Sequence, residues 1–102
     1  MPLPIVLRRR VGRDLAAGFQ YYEAQSPGLG ERFVAAARTA FEAIGRYPQM
    51  FATINGDMRR AVVSTFPYAV FYRIERDRIV VLAVLHTARD PKLWPPARTP
   101  RR

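Results

Sequence analysis

His86 and Arg89 are the residues of this sequence whose types and spacing best suit chemistry. They lie three positions apart, directly after an apolar run that is typical of a buried strand, so they fall together at a strand end. Histidine transfers protons near neutral pH, and arginine binds phosphate or carboxylate groups through paired hydrogen bonds. We expect both side chains to face the side of the sheet that the helices leave open, where they would bind an anionic group.

Arg59, Arg60 and Arg73 come from predicted strands that neighbour this end, and Trp94 follows shortly after it. The guanidinium fork makes bidentate contacts that lysine cannot make, so these arginines extend the cationic surface. The alternative is that they only solvate an exposed sheet face. Trp94 either clamps the C-terminal tail to the sheet or anchors a partner interface, where tryptophan is enriched. The predicted target- or partner-binding residues are Arg59, Arg60, Arg73, His86, Arg89 and Trp94.

Most enzyme templates do not fit this sequence. A metal nuclease needs several carboxylates around a hard cation, whereas the 8 acidic residues are scattered. Neither serine lies in a Gly-x-Ser-x-Gly elbow, no glycine-rich phosphate loop is present, and cysteine is absent. We therefore predict no metal site and no cofactor. Five of the acids are assigned to solvent-exposed helix or turn positions: Asp14, Glu23, Glu31, Glu42 and Asp57.

The composition describes one small and strongly basic domain. Of 102 residues, 17 are basic and 8 are acidic, which gives a formal charge of +9, and Lys92 is the only basic residue that is not arginine. Such a charge favours anionic partners. The longest apolar run, 79–85, is far shorter than the roughly 20 residues of a membrane helix, and the N-terminus lacks the order of a secretory signal. We expect a cytoplasmic protein without membrane contacts.

Helical periodicity occurs twice in the first half of the chain. Apolar residues recur at helical spacing over 14–24 and again over 31–46. Ser26 before Pro27 is the start signal predicted for the second helix. Because only a short linker separates them, the two helices are predicted to form an antiparallel hairpin.

The second half of the chain is strand-like, and the last strand is expected to be central and covered on both faces. Strands are predicted over 3–9, 58–63, 68–75 and 78–86. The predicted fold is α+β, with a helical hairpin packed on one face of a small, mostly antiparallel sheet in the order β-α-α-β-β-β. This single domain spans residues 1–94, and a basic tail follows at 95–102.

Turn signals separate the predicted strands. Asn55-Gly56-Asp57 precedes the strand at 58–63, and Arg76-Asp77 reverses the chain between the last two strands. Phe66-Pro67-Tyr68 has two interpretations, a pair of rings that stack on nucleic-acid bases or a proline corner with both rings buried. We favour the corner because its neighbours are core strands.

These residues together resemble the ParE branch of the RelE/ParE toxins over positions 3–94. The specific part runs from Phe66 to Trp94, and the helical half is less distinctive. The resemblance implies the β-α-α-β sheet architecture and the role of toxin in a two-component toxin–antitoxin module. It also implies a small antitoxin partner that wraps the toxin and carries a DNA-binding domain. The matching residues include Asp14-Leu15, Tyr21-Tyr22-Glu23, Gly30, Phe33, Ile44, Pro48, Arg59-Arg60, Phe66-Pro67-Tyr68, Tyr72-Arg73, Val84, His86, Arg89, Pro91 and Trp94.

The two branches of this superfamily differ in mechanism. RelE-like members are ribosome-dependent mRNA endonucleases that use basic residues and a proton-transferring group, whereas ParE-like members poison DNA gyrase by protein–protein contact. Here only one lysine is present and no tyrosine follows Tyr72, so the nuclease set is incomplete. The resemblance therefore implies a gyrase-poisoning toxin held in a hetero-oligomer by an acidic, DNA-binding antitoxin. The alternatives are an mRNA endonuclease that uses His86 and Arg89, acting on the ribosome and mRNA, and a member that has lost toxicity.

Overall fold

A five-stranded sheet carries two helices on one face. The computed structural model describes residues 3–96, so most of the predicted tail at 95–102 lies outside the described residues. The sheet order is β1-β5-β4-β3-β2, with β1 parallel to β5 and the other pairs antiparallel. The predicted α+β class is confirmed. The elements are β1 (Ile5–Leu7), α1 (Arg9–Gln25), α2 (Leu29–Arg46), β2 (Thr53–Asn55), β3 (Met58–Val62), β4 (Tyr68–Glu75), β5 (Arg78–His86) and a 3-10 turn (Pro91–Leu93).

Strand β5 is buried on both faces, as its continuous apolar run predicts. Every residue from 79 to 85 is buried. One set of side chains, including Val81 and Val84, packs under the helices, while Val80 and Leu85 belong to a second cluster on the opposite side. The alternation is interrupted by a β-bulge, because Phe71 pairs with Ala83 whereas the next residue of β4 pairs with Val81. Leu82 is the extra residue, so the strand changes phase at this point.

The helical hairpin is organised around Phe33, which is fully buried. Its ring lies 5.4 Å from Tyr22 of α1, 5.4 Å from Phe66 and 4.7 Å from Tyr68. A side chain at Gly18 would overlap the Phe33 ring, so glycine is needed for this close helix approach. The Phe66-Pro67-Tyr68 corner therefore has the structural role that we favoured, although both rings are half-buried rather than fully buried.

The first helix begins at Arg9, five residues before the predicted start, and β1 is shorter than the predicted strand. The Arg8 N–H still donates to Val81 in the sheet, and the Val11 N–H then donates to the Arg8 carbonyl as the helix starts. Arginines in the first helical turn give no apolar signal there, and only the buried Val11 marks the helix face.

The second helix does not start as predicted, because Ser26 and Pro27 precede its N-cap. Gly28 occupies the cap position at a φ of 89°, a left-handed conformation that favours glycine. The Glu23 carboxylate accepts hydrogen bonds from the N–H groups of Gly28 and Gly30, at 3.0 to 3.1 Å. Thus Glu23 of α1 satisfies free donors at the start of α2, and it is not the purely solvated acid that the sequence predicts.

Strand β2 is an element that the sequence pattern did not predict. It consists of Thr53–Asn55 only, and it pairs with β3 across the predicted turn at residues 55–57. The remaining predicted strands match closely, with β4 and β5 at the predicted bounds and β3 one residue shorter. The Arg76-Asp77 reversal is also confirmed, and Arg76 adopts a φ of 48° there.

Asp14 links α1 to the sheet, which corrects its assignment as a solvated acid. Its carboxylate accepts a 2.9 Å hydrogen bond from the Val84 N–H beside the bulge, and it receives two bonds from Arg10 at 3.1 Å. Asp14→Ala is expected to cost about 1–3 kcal/mol of unfolding free energy, because a half-buried N–H loses its acceptor. Urea denaturation measures this cost, and Glu31→Ala on the exposed face of α2 is the control. A loss no larger than that of the control would contradict the assigned role.

Candidate functional site

The side of the sheet opposite the helices, called here the open sheet face, carries Trp94 and Arg60. The Trp94 ring lies 5.2 Å from the ring of Phe71, which is itself buried in β4. The Arg60 guanidinium carbon lies over the Trp94 ring at 5.7 Å from its centroid. Cation–π geometry holds the guanidinium in place without consuming its hydrogen-bond donors. The C-terminal segment therefore presents a preorganised arginine on an aromatic platform.

Arg73 lies on the open sheet face, but it is only 6% exposed. Its Nε donates to Glu75 at 2.6 Å, and Arg78 donates to the other oxygen of the same carboxylate at 3.1 Å. These two hydrogen bonds hold the pKa of Glu75 below its usual range. Arg73 thus has an intramolecular partner, and it is less available to an external anion than Arg60.

Arg59 points to the opposite side of β3 from Arg60, as adjacent strand residues must. Its guanidinium donates to the carbonyl of Phe51 at 2.6 Å and to that of Gln49 at 3.3 Å. The hydroxyl of the paired Tyr72 donates to the Pro48 carbonyl at 2.6 Å. Both side chains therefore fasten the segment between α2 and β2 to the sheet.

Tyr72 predicts a loss of stability at alkaline pH. Burial raises the pKa of its hydroxyl from 10 to about 12, although the nearby Arg59 acts in the opposite direction. The folded state therefore favours the neutral phenol. The resulting stability is fully present below pH 10, the pKa of the unfolded chain, and is lost as the pH rises towards 12. Tyr72→Phe should weaken this alkaline decline in urea denaturation, and an unchanged decline would assign it elsewhere.

His86 lies on the helix-bearing side of the sheet, so the expectation that it faces the open side is wrong. It pairs with Tyr68, and the two rings are 5.3 Å apart. The bulge at Leu82 is the physical reason, because one extra residue exchanges the faces of all later side chains in the strand. Without that residue, His86 would share a face with Val80.

The surroundings of His86 define what its ring can do. Nδ1 accepts a 3.0 Å hydrogen bond from the Ala88 N–H, which leaves Nε2 as the nitrogen able to bind another group. Arg89 is exposed and lies near Tyr68, where its charge partly offsets the upward effect of burial on the pKa of the Tyr68 hydroxyl. His86, Tyr68 and Arg89 therefore form a second group at this end of the sheet.

The six predicted binding residues consequently do not form a single cluster. Arg60, Arg73 and Trp94 share the open sheet face, whereas Arg59 and His86 project to the helix-bearing side. The part of the chain that the structure describes contains no group of three or more His, Asp or Glu residues placed to hold a metal ion. Within residues 3–96, no helix has the length and apolarity needed to cross a membrane.

Comparison with known proteins adds a family to this geometry. The sequence profile described as "ParE toxin of type II toxin-antitoxin system, parDE" matches residues 5–91. The chain belongs to the ParE toxin family. No curated protein matches it in sequence. The ParE profile thus covers both helices and all five strands, and it ends in the turn that leads to Trp94.

A solved structure supports the ParE fold. The chain is similar to one described as "Chromosomal ParDE TA system from P. aeruginosa", with a TM-score of 0.74 and 15% sequence identity. The match covers 82% of this chain and 95% of the other. At this identity the likeness shows the fold alone, which agrees with the two helices and the sheet described above.

Proposed function

We propose that this ParE-family toxin inhibits growth by binding DNA gyrase through its open sheet face and is neutralised by an acidic, DNA-binding antitoxin in a cytoplasmic hetero-oligomer. The observation that carries the binding surface is Arg60 held on Trp94. Tryptophan and arginine are the residues that most often dominate binding energy at protein interfaces. Gyrase as the target rests on the ParE resemblance.

The separation of the cationic residues supports binding over catalysis. Phosphodiester cleavage requires a proton-transferring group and charge-stabilising groups around one phosphate. Here His86 and the pair formed by Arg60 and Trp94 lie on opposite sides of the sheet. Arg59 and Arg73 are already bonded within the chain. A protein interface does not need these groups to converge.

Purified toxin added to gyrase and relaxed plasmid tests the proposed target. We expect lost supercoiling together with accumulation of cleaved DNA held by gyrase. Toxin premixed with its antitoxin is the control, and it should leave gyrase active. Normal supercoiling in the presence of excess folded toxin would discard gyrase as the target.

One observation favours mRNA cleavage as a second candidate function. The Nε2 atom of His86 has no hydrogen-bond partner within the described residues, and Arg89 and the Tyr68 hydroxyl are near the imidazole. In this alternative, His86 transfers a proton and Arg89 stabilises the phosphate. Translating ribosomes would then yield transcripts cut in the A site, and His86→Gln would prevent the cuts. Intact transcripts with the wild-type toxin would exclude this alternative.

A further inference from the structure

Strand β1 ends the sheet with an unpaired edge. Its backbone bonds go to β5, since the Ile79 N–H donates to the Pro4 carbonyl at 2.9 Å and the Arg8 N–H donates to the Val81 carbonyl at 3.0 Å. In a strand, alternate residues direct their N–H and C=O groups to opposite sides. Ile5 and Leu7 therefore direct both groups away from β5, where a further strand can bind them.

The side chains of β1 are apolar although this edge is exposed. Val6 is 41% exposed and Leu7 is 47% exposed. Proteins usually protect such edges with charged residues or proline, because an apolar open edge pairs with other chains. None of the three residues of β1 is charged or proline. This edge has the properties of a docking strand.

A groove of about 280 Å³ runs between β1 and α2. Its floor is apolar, and Arg38 and Arg46 stand at its border. Both arginines are exposed, as are Arg8 and Arg9 directly after β1. Against these charges the groove has one acid, Glu42, so a segment bound there meets a net positive surface.

A second groove provides an internal comparison. It lies between α2 and β3, has a volume of about 180 Å³, and has no charged residue in its lining. Val62, which is 60% exposed, lies at its open edge. The Val63 N–H donates to β4 and the Arg60 N–H donates to Ala52, so the Val62 N–H points away from β4. Both grooves adjoin an open edge, and only the groove beside β1 is bordered by arginine.

We propose that the β1 edge is the docking strand for an extended, acidic segment of the antitoxin. The segment adds a sixth strand beside β1 and places its alternate apolar side chains in the groove under α2. Its carboxylates pair with Arg38 and Arg46, which accelerates association. This inference rests on the proposed antitoxin partnership, and it specifies the edge, the conformation and the charge of the bound segment.

Amide exchange of the wild-type toxin, alone and with the full-length antitoxin encoded beside it, tests the docking edge. We expect exchange of the Ile5 and Leu7 amides to slow by about tenfold or more in the complex, because each gains an acceptor. The Val62 amide at the other open edge should be unchanged. Protection of Val62 in place of Leu7 would overturn the proposal.

Two proline variants test the same edge by affinity. Leu7→Pro removes an N–H that the sheet does not use, and Val62→Pro does the same at the other edge. We expect Leu7→Pro to weaken the complex by about tenfold or more and Val62→Pro to leave it nearly unchanged. Thermal unfolding of each free variant confirms that it is folded. Unchanged affinity of Leu7→Pro would overturn the docking strand while the antitoxin partnership stands.

Charge reversal tests the acidic character of the segment. Arg38→Glu and Arg46→Glu should slow association at low salt, whereas Arg32→Glu, on another face of α2, should have little effect. A common rate for all three variants would contradict pairing at the groove. If the wild-type toxin does not bind the antitoxin at all, the proposed partnership fails and the docking strand fails with it.

Discussion

Arg60→Glu is expected to abolish growth inhibition while leaving the fold intact. Arg60 is half-buried at the rim of the open sheet face, and its guanidinium rests on Trp94. Reversing this charge removes the cation–π contact and places a carboxylate where the proposed target meets a cation. We expect affinity for gyrase to fall by about 100-fold, which corresponds to about 2.7 kcal/mol.

Matched variants separate binding from folding in this test. Arg13→Glu changes the net charge equally on the exposed surface of α1 and should remain toxic. Trp94→Phe keeps an aromatic platform and should retain more activity than Trp94→Ala. Toxicity is measured by induced expression without antitoxin, and circular dichroism checks the fold. Full toxicity of a folded Arg60→Glu variant would remove the open sheet face from the proposed mechanism.

Phe33→Ala is expected to cause the largest loss of stability among single substitutions discussed here. The ring is fully buried between the helices and contacts Tyr22, Phe66 and Tyr68. Removing it leaves a cavity at the point where both helices meet the sheet, with an expected cost of about 3–5 kcal/mol. Because small domains are only marginally stable, much of the variant should be unfolded at physiological temperature.

Urea denaturation measures this loss, with Phe41→Ala as the matched control. Phe41 is also a phenylalanine of α2, but it is half-buried beside the groove and should cost less. Gly18→Ala adds a second test, because its methyl group would overlap the Phe33 ring. Gly18→Ala should destabilise the wild type and be tolerated better alongside Phe33→Leu. Equal costs for Phe33→Ala and Phe41→Ala would contradict the central position of Phe33.

The elements that could be predicted from sequence are those with strong local periodicity. Strands β4 and β5 have long apolar runs bounded by clear turns, and the helices have apolar stripes of several turns. Strand β2 has three residues and no such pattern, because its pairing with β3 defines it. The start of α1 was missed for a related reason, since Arg9 and Arg10 give no apolar signal.

The candidate site was harder to predict because it depends on which face each residue occupies. The apolar run of β5 has no polar alternation, so its sequence does not reveal the extra residue at Leu82. That residue places His86 beside Tyr68 rather than on the open sheet face. The roles of Asp14 and Glu23 were hidden as well, because both carboxylates bind backbone N–H groups that only the folded chain brings near.

Titration of the toxin against a fixed amount of gyrase in a supercoiling assay tests the central claim most directly. A toxin that acts by binding should inhibit in proportion to the gyrase it occupies, with saturation near equimolar amounts when affinity is high. Arg60→Glu should shift the titration to higher toxin concentrations, and Arg13→Glu should not. Undiminished supercoiling at about tenfold excess of folded wild-type toxin, well beyond saturation for such a complex, would contradict the proposed function.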